Sequence, residues 1–180
     1  MAIQIPTVSS PLTLSRPVVD DVSVRLVAAL VLALVTLTAA TGQWWLYGVL
    51  ALDFALRTAG LRRLSPLGVL VQHVARPRVR VAPRPTSAAP KRFAAGIGAV
   101  LTAAAFVLWL VGLASGTGSV SPVVWGITAA MIAFPLLEAG LGLCVGCKVY
   151  ALLIRTGLIP ADSCIDCAPT TRVVSPKETA

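Results

Sequence analysis

The sequence predicts an all-α integral membrane protein with four transmembrane helices arranged as two helical hairpins, a short interfacial helix and a cytoplasmic, cysteine-bearing C-terminal segment. Three observations carry this. Of the 180 residues, 57% are hydrophobic and only 12% charged, against about 25% charged in an ordinary soluble domain. A chain this short cannot hide so much apolar surface in one core, and its mean hydropathy is +0.87. Four apolar runs each approach the roughly 20 residues that cross the hydrocarbon. The fifteen Lys and Arg residues are confined to three segments.

Residues 1–23 form a cytoplasmic lead-in containing Asp20 and Asp21. So long and charged a lead is unlike the short basic start of a cleaved signal peptide. The first hairpin covers residues 24–59, with spans at 24–41 (VRLVAALVLALVTLTAAT) and 43–59 (QWWLYGVLALDFALRTA). Both are short for a bilayer, which favours local thinning or extension into the interface. Trp44, Trp45 and Tyr47 follow the tight link and read as an aromatic anchor at the headgroups.

Residues 60–92 form a basic cytoplasmic loop. Ser65 and Pro66 are an N-cap followed by proline at the first helical position, and Leu67, Leu70, Val71 and Val74 recur at helical spacing. That predicts a short helix lying in the interface. The following RPRVRVAPRP is too interrupted by proline for a helix. It reads as a strip held near acidic lipid, or as a docking strip for an acidic partner. The second hairpin covers residues 93–143, with spans at 93–115 and 122–143 joined by GTGSVSP, a helix-stopping composition.

Lys and Arg in short loops set orientation. The N-terminal segment has two, the central loop and its flanks nine, and the C-terminal segment four, while the two remaining links have none. Both termini and the central loop therefore face the cytoplasm of a cell (plasma) membrane. The net charge of +8 lies beside apolar runs, which points to anionic headgroups rather than nucleic acid.

Asp53 and Arg57 lie inside the second span at i and i+4, on one helical face, and form an intramembrane charge pair. They are read as a structural pair or as part of a proton or substrate site. Glu138 follows Pro135, whose missing N–H frees a carbonyl one turn earlier for polar use. It serves as a proton acceptor for a thiol, or pairs with Arg57 or Lys148. His73, the single histidine, reads as an interfacial loop residue.

Residues 144–180 carry all four cysteines, Cys144, Cys147, Cys164 and Cys167, as C-V-G-C and C-I-D-C. The cytoplasm keeps thiols reduced, so paired thiols there imply metal binding or thiol chemistry rather than structural disulfides. The spacing fits a four-thiolate zinc site. Cys144 and Cys147 also read as a dithiol continuing the fourth span on one face. Lys148 beside them favours the thiolate. Gly142 and Gly146 form a small-residue face that admits a close neighbour. KVYALLIRTG reads as a short amphipathic helix ending at Gly157.

The stretch FPLLEAGLGLCVGCKVYALLIR (residues 134–155), with SPLGVLVQHVARP (residues 65–77), resembles a bacterial, largely actinobacterial membrane family, domain of unknown function 4395. The resemblance spans about residues 15–170. It implies a polytopic protein without an established activity whose members occur beside thioredoxin-like and sulfurtransferase proteins.

Three functional expectations follow. The first is a membrane thiol protein that works with thioredoxin-like or sulfurtransferase partners. Cys144 and Cys147 carry the exchange, Cys164 and Cys167 relay it, Lys148 favours the thiolate, and Glu138 handles protons. The second is a scaffold stapled by zinc on the four cysteines. The third is a homo-oligomeric transporter of a small sulfur compound through Asp53 and Glu138. No nucleotide-binding glycine loop or catalytic Ser-His-Asp set is present.

Overall fold

The computed structural model describes residues 18–116 and 120–160. Most of the lead-in, part of the GTGSVSP link, and the second cysteine pair, Cys164 and Cys167, lie outside the described residues.

Helix α1 (Asp21–Thr41) starts three residues before the expected run, because Asp20 caps it. The Asp20 carboxylate accepts from the backbone N–H of Val22 and Ser23 at 3.3 and 3.2 Å, the N-cap bonds that satisfy orphan donors of a first turn. Gly42, left-handed at φ 71°, ends the helix. Helix α2 (Leu46–Thr58) has only 13 residues, about 20 Å of helix. A tight turn of i→i+3 bonds (Leu46 to Gln43, Tyr47 to Trp44, Gly48 to Trp45) leads into it. The expected second span is therefore a short helix with a turn before it. Among the described residues, three helical segments are long and apolar enough to cross a membrane by length and composition: Asp21–Thr41, Ala88–Ala114 and Pro122–Leu141.

Helix α3 (Pro66–Leu70) begins as expected at Ser65, whose side chain accepts from Gly68 N, and continues as a wide π-turn over Val71–Ala75. It buries Leu67 and Val71 and leaves Leu70 and Val74 exposed. Beyond a single 3₁₀ turn at Arg76–Arg78 the chain is irregular, as the prolines require. It then forms strand β2 (Pro85–Ser87), antiparallel to β1 (Val18–Asp20). This two-stranded clasp is a small departure from the all-α expectation. Asp20 holds it further, accepting from Arg84 N at 3.0 Å and Arg76 Nε at 2.9 Å. Burial opposes the charge on Asp20. Hydrogen bonds from Ser23, Arg84, Arg76 and Val22 outweigh that and bring its pKa down to about 2.

Helix α4 (Ala88–Ala114) has 27 residues and starts five before the expected run. Pro90 sits in its first turn, where a missing N–H costs nothing. At about 40 Å the helix is longer than the hydrocarbon thickness of about 30 Å. Helix α5 (Pro122–Leu136) continues as a π-turn, Leu137–Leu141, just after Pro135. A proline that removes a ladder bond commonly accompanies such widening.

α2 packs chiefly on α4, and α1 on α5. The most extensive contacts thus run between the two expected hairpins rather than within them. The core joins Val31 and Val35 of α1, Tyr47 and Leu50 of α2, Ala105 of α4, and Val124 and Met131 of α5. Trp44 is part of it, stacked on Tyr47 and edge-on to Trp125. Of the expected aromatic anchor only Trp45 remains half exposed. Val100, Val107 and Val111 form an exposed apolar stripe along α4, one helical face left uncovered by protein.

Candidate functional site

Cys144 does not continue the preceding helix. Gly142 adopts a left-handed φ of 70° and breaks the path, with Gly142 N–H bonded to Glu138 O and Leu143 N–H to Leu137 O. Cys144 becomes the N-cap of a new helix, α6 (Val145–Arg155), and Cys147 stands in its first turn. The expectation of one unbroken helix through the pair is corrected accordingly. The helix N-terminus carries partial positive charge and favours a thiolate.

Cys144 is buried and Cys147 half-buried, both as free thiols. The Cys144 thiol is held below its ordinary value chiefly because Cys147 donates a hydrogen bond to it, while burial and the Glu138 charge oppose this and Lys91 assists. Cys147 is pushed up, because its proton serves that bond and partial burial disfavours its charge. Of the two, Cys144 is the thiol whose ionisation is favoured.

Lys91, from the first turns of α4, is the cation whose charge reaches both sulfurs. Its Nζ lies 2.9 Å from Glu138 Oε1 and 3.2 Å from Asp21 Oδ1, and its side chain is only 9% exposed. Glu138 therefore pairs with Lys91, rather than with Arg57 or Lys148. Lys148 is exposed on α6, whereas the charge of Lys91 acts on both thiols. Arg25 of α1 donates to Gly140 O at 3.2 Å, placing a cation where α5 ends, as the helix dipole favours. Lys91, Asp21 and Arg25 were not singled out from sequence as site residues. They sit 47, 70 and 115 residues from their partners here, and no local spacing reveals such pairs.

Gly146 lies against α4 so closely that an added Cβ would stand 2.7 Å from Ala94 Cα. The small-residue face expected at Gly142 and Gly146 thus acts at Gly146, where it seats α6 on α4. Gly142 serves instead as the turn.

Asp53 is fully buried. Its Oδ1 accepts from Ser65 Oγ at 2.5 Å and Leu67 N at 2.9 Å, so it holds the start of α3 against α2. Oδ2 stands 2.5 Å from Arg57 Nη2, an ion pair whose angle falls short of an aligned hydrogen bond. Arg57 Nε is buried with no hydrogen-bond acceptor among the described residues. His73 is exposed on the α3 extension, its Nδ1 2.9 Å from Val69 O.

A cavity of about 810 Å³ lies among these groups, walled by apolar side chains of α1, α2, α4 and α5, with Arg57, Lys91, Glu138 and Cys144 on its lining. Among the described residues no cluster of three His, Cys, Asp or Glu side chains is set to hold a metal. Only Cys144 and Cys147 of the four-cysteine zinc set fall within them.

A family model described as domain of unknown function (DUF4395) matches residues 19–155. No curated protein and no solved structure gives a significant match.

Proposed function

Because the chain belongs to the DUF4395 family, whose description carries no activity, its function rests on its own residues, and we propose that it is a membrane-embedded dithiol protein. In this reading α2 with its leading turn is a fourth, short span. Both termini and the basic loop face the cytoplasm of the cell membrane, and the dithiol sits at that face. The supporting charge pattern is the confinement of Lys and Arg to three segments.

The observation that carries the chemistry is the position of Cys144 at the N-cap of α6 with Cys147 in the next turn. The Cys144 thiolate attacks a disulfide or persulfide sulfur of a thioredoxin-like or sulfurtransferase partner, displacing the partner's other sulfur as a thiolate. A mixed disulfide or a Cys144 persulfide results. Cys147, once its proton is lost, attacks Cys144 Sγ. That closes the Cys144–Cys147 disulfide and releases the partner thiol or hydrosulfide. Lys91 stabilises the thiolates, and Glu138 opposite it accepts the proton. Cys164 and Cys167 are a second pair to which the disulfide passes, or the remaining ligands if zinc is bound instead.

The test uses glutathione disulfide, which does not cross membranes. A Cys147→Ser chain on inside-out vesicles should accumulate a glutathione adduct on Cys144, and on right-side-out vesicles none. Labelling only from the opposite face would reverse the orientation. Labelling from neither face, or one zinc per chain that is lost with any cysteine, would reject the exchange role.

A further inference from the structure

The cavity has more room and more apolar wall than a thiol exchange with a soluble partner requires. Its volume of about 810 Å³ lies in the range of small-molecule and cofactor sites, roughly 300–1,000 Å³. Val27 and Val31 of α1, Phe54 of α2, Leu101 of α4 and Met131 of α5 line it. Its polar lining includes Arg57, Lys91, Glu138 and Cys144, together with Arg62, Arg63, Gln72 and His73 of the loop after α2 and the α3 extension. Sites of this make-up take a largely apolar molecule oriented by a few polar contacts. Arg57 contributes to this lining with its guanidinium held between Asp53 Oδ2 and the Phe54 ring.

The occupant follows from these constraints. It must accept hydrogen bonds from polar lining groups, extend an apolar body along the helices, and react with a dithiol of which Cys144 is on the wall. A small sulfur oxyanion would use the cations but leave most of the apolar lining uncovered. A nucleotide-borne redox group would need a phosphate-binding glycine loop, which the sequence lacks. A lipid-borne quinone meets all three conditions, and the bilayer supplies it.

We propose that this cavity binds a quinone, with its ring at the Arg57–Lys91 end beside Cys144 and its tail among the apolar walls. The inference rests on the dithiol reading above. The step balances as a two-electron transfer. Both thiols give up their protons, the Cys144–Cys147 S–S bond forms, and the quinone takes two electrons and two protons to become the quinol. Lys91 and Arg57 donate hydrogen bonds to the ring oxygens as negative charge grows on them, and Glu138 passes on the proton leaving the thiol. A soluble thiol partner then reduces the disulfide and resets the site.

The experiment uses the full-length reduced protein in detergent or nanodiscs and a benzoquinone whose ring is fully substituted, so that thiols cannot add to it. Wild type should yield one quinol per two thiols lost. Lengthening the tail from one to ten carbons should tighten binding by at least about tenfold, as burial of methylenes requires. Cys144→Ser should still bind the quinone and should form no quinol. Ala28→Phe, which projects a ring into the cavity from α1, should weaken binding at least about tenfold in a preparation that still melts cooperatively; the tail-length series in wild type decides the matter if that variant does not fold. A dithiol oxidised by glutathione disulfide but neither binding nor reducing the quinone would overturn this inference and leave the dithiol reading intact. A dithiol oxidised by neither would overturn both.

Discussion

Asp53 shows how a single buried carboxylate holds several elements. It joins Arg57 on its own helix to Ser65 and Leu67 at the start of α3. Asp53→Asn keeps an acceptor for Ser65 and Leu67 but leaves the Arg57 guanidinium buried without a counter-charge. Breaking a buried pair from one side costs about 3–5 kcal/mol, so the variant should melt well below wild type. An unchanged melting temperature would mean that the pair carries no stabilising charge. The Asp53–Arg57 half of this arrangement was legible in sequence, because i and i+4 share a helical face. The capping of α3 was not, since it depends on the chain folding back over 12 and 14 residues. The same limit explains Lys148 and Lys91. Adjacency pointed to Lys148, which the turn of α6 directs outward, while Lys91 arrives from another helix. Asp20 is a third case. Its folded pKa of about 2 lies below the unfolded value of about 3.9, so the stability it lends to the clasp is present above the unfolded value and fades as pH falls towards 2.

At the level of elements, α6 decides what the cysteines can do. The apolar run from α5 into Cys144 reads as one helix by hydropathy, and only Gly142 signals otherwise. A left-handed glycine is a common end to a helix, and this break puts Cys144 at the N-cap position and Cys147 in the first turn of a new helix. Gly146 then fixes the height of that pair on α4. Gly146→Ala must move Ala94 or α6, since the added carbon meets backbone as well as side chain. Overpacking of this kind costs about 1–3 kcal/mol, and the displaced α6 should carry Cys144 away from Lys91. A lower melting temperature together with slower alkylation of Cys144 is expected. Wild-type values for both would show that the contact does not position the site. The helix over KVYALLIR and the Ser65–Pro66 start of α3 were readable locally, because caps and amphipathic spacing are properties of adjacent residues.

At the scale of the molecule, apolar length and the charge split predicted helical spans, and among the described residues three segments meet the requirements of a span by length and composition. Hydropathy counts residues without seeing where a helix starts. It therefore overstated α2, whose first residues wind as a tight turn under Trp44 and Tyr47. The pairing of helices was also beyond sequence. Short links predict hairpins, whereas side-chain fit sets α2 on α4 and α1 on α5. That pairing brings Lys91, Glu138 and Cys144 around one cavity. The account's central claim is that this arrangement gives the two thiols opposite roles. The most direct measurement is the rate of iodoacetamide alkylation of each cysteine in the reduced protein, followed from pH 6 to pH 10. Alkylation consumes thiolate, so a lowered Cys144 value places its half-maximal rate below that of a free thiol, about pH 8.5, with Cys147 still protonated there. Cys147 reacting first, or both thiols titrating together at or above the free-thiol value, would contradict it.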